Sequence, residues 1–221
     1  MSPRRRHSAS AAAAALVAAA LAFPAAAQDA AQGAALAEQR GCGACHGEKG
    51  IAAQPPMPSL AGQPAEFIVL QMILFRERLR DAPPMPDLAQ GLEDGQIEDL
   101  AAHFAALPPG PPPDREEADA ARMREGGALV QRLNCGVCHL PSYAGRAQIP
   151  RVAGQREDYL AHSLTQYRDG TRRGSDTNMN AVMYGVTDPQ IAALAHYLAQ
   201  RCSAADRRAA GRDRRHSGVG V

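Results

Sequence analysis

From Ala30 onward the apolar residues recur at helical spacing, and strand-like alternation is absent. A short amphipathic stretch runs from Gly33 toward Arg40, a second starts soon after "AGQ" (Ala61 to Gln63), and a third, "LEDGQIEDLAAHF" (Leu92 to Phe104), follows. The pattern then restarts. "GGALVQRLNCGVCH" (Gly126 to His139) answers "GAALAEQRGCGACH" (Gly33 to His46) at an offset of 93. "PRVAGQREDYLAHSLTQYR" (Pro150 to Arg168) answers "PSLAGQPAEFIVLQMILFR" (Pro58 to Arg76) at 92, and "VTDPQIAALAHYL" (Val186 to Leu198) answers the third stretch at 94. Such self-similarity is an internal repeat, with loops of slightly different length between kept elements. In the second copy Thr187 is placed to cap the closing helix, with Gln190 completing a capping box.

The repeat predicts an all-α protein of two tandem domains, residues 28–106 and 118–202. Between them "LPPGPPPDREE" (107–117) reads as an extended, semi-rigid linker. With a cofactor in each half, the linker predicts two domains partly independent of one another. Residues 1–27 read as a secretory signal: Arg4, Arg5 and Arg6, an Ala-rich apolar run too short for a membrane span, and small residues at Ala25 and Ala27 before cleavage. The protein is expected to be exported to the periplasm.

Domains of roughly 80 residues bury little surface and usually need a metal, disulfides or a cofactor. Only 4% of residues are aromatic and there is no Trp, so large core side chains are scarce. Four of the five cysteines lie in two Cys-x-x-Cys-His motifs: Cys42, Cys45 and His46, then Cys135, Cys138 and His139. A zinc site needs four ligands and each motif offers at most three, with the His beside the second Cys. A thioredoxin-like pair belongs in a βαβ setting, and no strands are visible. Two tight disulfides would leave both histidines unexplained. Covalent haem uses every residue: the thiols add to the vinyl groups as thioethers, and the adjacent His reaches the iron. Two haem c groups are expected.

The opposite face of each iron needs a ligand, and the repeat selects it. Met85 and Met179 each lie 12 residues before the matched Ile97 and Ile191, and 39 and 40 residues after His46 and His139. Met57, Met72 and Met183 match Ile149, Leu164 and Ala89, so they break the symmetry, and Met72 suits core packing. "SDTNMN" around Met179 looks like a loop. His103, His162 and His196 have no counterpart His and read as surface or second-layer groups. The axial ligands are therefore His46 with Met85 and His139 with Met179. A thioether favours ferrous iron, and a fully ligated iron offers no position to substrate.

Charge narrows the partners. The first 27 residues hold three of the chain's 24 basic residues and none of its 23 acidic ones, leaving 21 against 23, a balance that argues against nucleic acid. The stretch from Ser203 to Val221 carries five arginines and no apolar periodicity; it reads as a disordered basic tail, able to touch an acidic partner or lipid headgroups at the membrane surface. Cys202 is left over, with no role in haem binding.

The twin motifs, "PSLAGQ" and "PRVAGQ", the "FRERLR" and "YRDGTRR" stretches and the "Q-I-x-x-L-A" closing helices together resemble the dihaem cytochrome c4 family, over about Gln32 to Cys202. The resemblance implies tandem class I cytochrome c domains, each wrapped around a covalent haem, related by a pseudo-twofold with haem propionates facing across the interface. It also implies periplasmic electron transfer between redox proteins, often toward a terminal oxidase. The approach to Met85, "RDAPPM", is two residues shorter than "RRGSDTNM", and the Arg-rich tail has no match in the family. An electron-transfer protein rather than an enzyme is expected. The competing readings are the cytochrome subunit of a flavin- or quinone-linked dehydrogenase, and a dihaem enzyme such as a peroxidase or a thiosulfate-oxidising cytochrome.

Overall fold

The computed structural model describes residues 28–172 and 177–201; the signal segment, Cys202 and the basic tail lie outside them. Among the described residues the first half holds α1 (Ala30–Gln39), α2 (Gly43–His46), α3 (Ala65–Arg76), α4 (Met85–Ala89) and α5 (Asp94–Ala106). The second half repeats the order as α6 (Ala120–Arg132), α7 (Cys135–His139), α8 (Glu157–Arg168), α9 (Thr177–Met183) and α10 (Asp188–Gln200). No β-strand is present among these residues beyond one isolated bridge, Arg146 with Ile149. The three helices expected per copy are there, and each copy adds two short ones that periodicity does not reveal, because four to seven residues make too few turns for a stripe. The segment around Met179, expected as a loop, is helical from Thr177 to Met183.

In each domain the first and last helices cross at very close range, and a glycine permits it. A Cβ on Gly33 of α1 would sit 1.9 Å from the Asp99 carbonyl oxygen of α5, and one on Gly126 of α6 would sit 2.2 Å from that of Ala193 in α10. Both closing helices start with a capping box. Gln190 accepts from Thr187 N–H at 3.1 Å as expected, and Glu93 with Gln96 forms the same device in the first copy. Asp29 and Asp119 cap α1 and α6 with their carboxylates.

Each half has its own core. One gathers Ile68, Leu92, Ile97, Leu100 and Phe104, the other Leu129, Leu160, Leu164, Met183, Ile191 and Leu194. His196 belongs to the second core rather than to the surface. It is 0% exposed, accepts from Asp119 N–H at Nε2 (2.9 Å) and donates from Nδ1 to Glu157 Oε2 (2.8 Å). Its ring ties the start of α6 and the start of α8 to α10. His162 is exposed, as expected.

The two halves are not loosely joined. The proline linker lies against the protein: Pro109 packs on Gly62 and Pro112 is buried. Asp114 then accepts both terminal nitrogens of the buried Arg156 (2.7 and 3.0 Å), and Arg156 also reaches the Ala52 carbonyl of the first domain at 3.3 Å. Hydrogen bonds from Gln63, Gln155 and Arg151 cross the interface directly. Beside the partial independence expected from the linker, the structure thus sets a docked linker and hydrogen bonds that join the two halves.

Candidate functional site

Each Cys-x-x-Cys-His motif forms one helical turn, entered through a left-handed residue that reverses the chain after the preceding helix. That residue is Gly41 (φ +67°) before α2 and Asn134 (φ +54°) before α7, and Asn tolerates this conformation better than most side chains. Cys42 and Cys135 pack against their respective cores, Cys45 is half-buried, Cys138 is exposed, and no disulfide joins any of the four. Burial pushes the Cys42 and Cys135 thiols above their ordinary range.

The two histidines are placed alike. His46 and His139 are buried, and each Nδ1–H donates to a proline carbonyl: Pro58 at 2.8 Å and Pro150 at 2.9 Å. Proline carbonyls only accept, so Nδ1 carries the proton and Nε2 keeps its lone pair. Burial lowers both imidazole pKa values, against a smaller upward pull from the proline carbonyl, and holds the rings neutral. This is the tautomer and charge state a metal-ligating imidazole needs. The segment after each proline is itself anchored: Leu60 and Ala61 donate to the Gly50 carbonyl, and Val152 and Ala153 donate to that of Tyr143.

Met85 is the first residue of α4 and Met179 lies in α9; both are half-buried, and Met179 packs at the edge of the second core. The rival, Met183, is 2% exposed inside that core, and its repeat counterpart Ala89 is 0% exposed. Met72 packs on the first core, as its spacing suggests. Among the described residues no group of three or more His, Cys, Asp or Glu is placed to hold a metal ion.

Two residues that sequence reasoning passed over stand out. Arg80 and Arg172 are both buried, occupy matching positions 92 apart, and lie over the ring five residues earlier, Phe75 at 4.6 Å and Tyr167 at 4.9 Å. Each also reaches a side chain nine residues back, Gln71 and Ser163. Arg80 of the first domain meets Tyr159 of the second at 3.4 Å. Burial raises the Tyr159 phenol, but the charges of Arg172 and Arg80 overcome this and bring it down to about 7. The signal was available, since the quoted "FRERLR" and "YRDGTRR" stretches end and begin around these arginines; nothing in one sequence says they are buried.

Known proteins match each half separately. The family model described as cytochrome c covers residues 123–201, and the model described as cytochrome c oxidase, cbb3-type, subunit III covers 28–104. A cytochrome c4 from Pseudomonas aeruginosa is 34% identical over 180 residues, spanning 78% of this chain and 89% of that protein. The chain belongs to the cytochrome c4 family. The structure of reduced recombinant cytochrome c4 from Pseudomonas stutzeri superposes with a TM-score of 0.71 at 30% identity, covering 80% of this chain and all of that one. A thiosulfate dehydrogenase electron acceptor from Stutzerimonas stutzeri is 32% identical over 76% of this chain and 82% of its own length.

A dihaem c-type cytochrome has two covalently bound haem c groups, and the residues present suit them. A buried guanidinium costs several kcal/mol unless an anion meets it. Among the described residues Arg80 meets Gln71, the acidified Tyr159 phenol and the Phe75 ring, and no carboxylate. A haem propionate would suit such a buried cationic corner. The neutral, Nδ1-anchored histidines suit the iron in the same way.

Proposed function

We propose that this cytochrome c4 relative is a periplasmic electron carrier, taking single electrons from one redox protein and passing them to another, a terminal oxidase among them. Cys42 and Cys45 would hold the first haem and Cys135 and Cys138 the second, and the iron ligands would be His46 with Met85 and His139 with Met179. When bound, the haem supplies the one-electron couple. The chain's own residues do the rest: the proline carbonyls orient the imidazoles, the thioethers favour the reduced state, and Arg80 and Arg172 balance propionate charge between the domains.

The observation that carries this reading is the equality of the two sites. Met85 and Ala89 span α4 in the same relation as Met179 and Met183 in α9, with the second member buried in both. Matching sites with a methionine each would give both irons a sixth ligand, which suits a carrier rather than an enzyme that needs an open iron position. Among the described residues no helix is long and apolar enough to cross a membrane, which suits a mobile or peripheral protein whose basic tail meets acidic surfaces. The relative named as the electron acceptor of a thiosulfate dehydrogenase favours one donor class, a periplasmic dehydrogenase.

Potentiometric titration of the purified protein is expected to give two one-electron steps. The reduced protein is expected to be reoxidised by oxidase-containing membranes and reduced again by a thiosulfate dehydrogenase. Turnover of thiosulfate or peroxide by this protein alone would instead mark it as an enzyme.

A further inference from the structure

The interface contains a reciprocal pair of glutamines whose partners lie one bond from the haem histidines. Gln155 of the second domain is 2% exposed; its Oε1 accepts from Ser59 N–H (2.8 Å) and its Nε2 donates to the Ser59 carbonyl (2.9 Å). Gln63 of the first domain, 4% exposed, does the same to Arg151, accepting from its N–H and donating to its carbonyl, both at 2.9 Å. Exchanging the halves maps one pair of bonds onto the other.

Ser59 N–H and the Pro58 carbonyl belong to one peptide group, as do Arg151 N–H and the Pro150 carbonyl. The Pro58 carbonyl accepts from His46 Nδ1, and the Pro150 carbonyl accepts from His139 Nδ1. Each domain's histidine is thus linked through a single peptide to the other domain's glutamine. Hydrogen bonds in such a chain polarise one another in the same sense. Donation from Ser59 N–H to Gln155 makes the Pro58 oxygen a stronger acceptor, which draws on the His46 Nδ1 proton and makes Nε2 a better electron donor. A more basic imidazole favours the ferric state.

We infer that Gln63 and Gln155 are positioning residues that act crosswise: Gln155 sets the basicity of His46 at the first haem, and Gln63 that of His139 at the second. The inference rests on the axial histidine assignment proposed above. It gives the interface a role in setting potentials as well as in holding the domains together. A change in docking at the interface then alters both haems through their histidines.

Gln155→Met removes both bonds to Ser59, together with the one its Oε1 accepts from Arg156 N–H (3.0 Å), at similar side-chain volume. In the dihaem protein the midpoint potential of the haem on Cys42 and Cys45 should rise, and the His46 Nδ1–H resonance of the reduced protein should move upfield. The haem on Cys135 and Cys138, and the His139 resonance, should keep their native values. Gln63→Met should give the mirror result. Gln155→Glu retains an acceptor toward Ser59 N–H, so it should hold the first potential at or below native. If Gln155→Met is not recovered from the periplasm, Gln63→Met decides by the same two readouts. Shifts confined to the substituted domain's own haem, equal shifts at both haems, or native values in a Met variant that keeps both haems would overturn the inference. Failure of the native protein to show imidazole ligation at either iron would strike the haem assignment instead, and is distinguished by the native spectrum.

Discussion

Replacing His46 with Gly is expected to remove the low-spin spectrum of the first haem and also to weaken the second domain. The ring is buried and holds Pro58, so its loss removes one anchor of the segment that carries Ser59 and Ala61 and leaves it on the bonds of Leu60 and Ala61 to Gly50. Those residues are where Gln155 and Arg151 dock from the second domain. Three bonds dock there, two from Gln155 to Ser59 and one from Arg151 to Ala61, worth about 3 kcal/mol together at about 1 kcal/mol each. At roughly 4–8 °C per kcal/mol for a domain of this size, the second domain's melting temperature should fall by up to about 12–24 °C. Calorimetry on the haem-loaded variant, beside its optical spectrum, measures both effects. A second domain that melts at its native temperature would show that the domains are separate folding units after all.

The second expected result separates two methionines four residues apart. Met179→Ala should abolish one of the two sulfur-to-iron charge-transfer bands of the oxidised protein and lower one midpoint potential, because the thioether that favours ferrous iron is gone. Its stability cost should be small, since Met179 is only half-buried. Met183→Ala should do the opposite. It empties a site that is 2% exposed in the second core, at a cost of about 2–5 kcal/mol, and leaves both bands in place. Near-infrared absorption and thermal melts on the two variants read the four quantities. The reverse pattern would show that the repeat is misaligned in α9, and the assignment of Met85 would lose its symmetry argument with it.

The sequence was informative where chemistry or period repeats. The paired motifs, the equal spacing of Met85 and Met179 to the closing helices, and the Thr187–Gln190 capping box needed no coordinates, and the box is found as expected. It was silent where burial comes from the other half of the molecule. Nothing in the sequence singles out Gln63 and Gln155, because their partners lie 88 and 96 positions away. His196 reads as a surface or second-layer group, and Glu157 and Asp119 close over it. Arg80 and Arg172 lie in stretches rich in charge whose pattern does not show that they are buried beside Tyr159. The α9 segment reads as a loop because Thr and Asn have weak helix propensity, which tertiary packing of Met183 overrides. The docking of the linker is likewise invisible in the sequence: its prolines give stiffness, but its seat depends on Asp114 meeting Arg156.

Carbon monoxide binding by the reduced native protein at neutral pH tests the central claim most directly, because the gas ligates only an iron with an open or weakly held position. Two closed His/Met sites predict little change in the Soret band even at saturating gas. Binding of one full equivalent per chain would contradict the carrier reading and point to an open iron and a substrate.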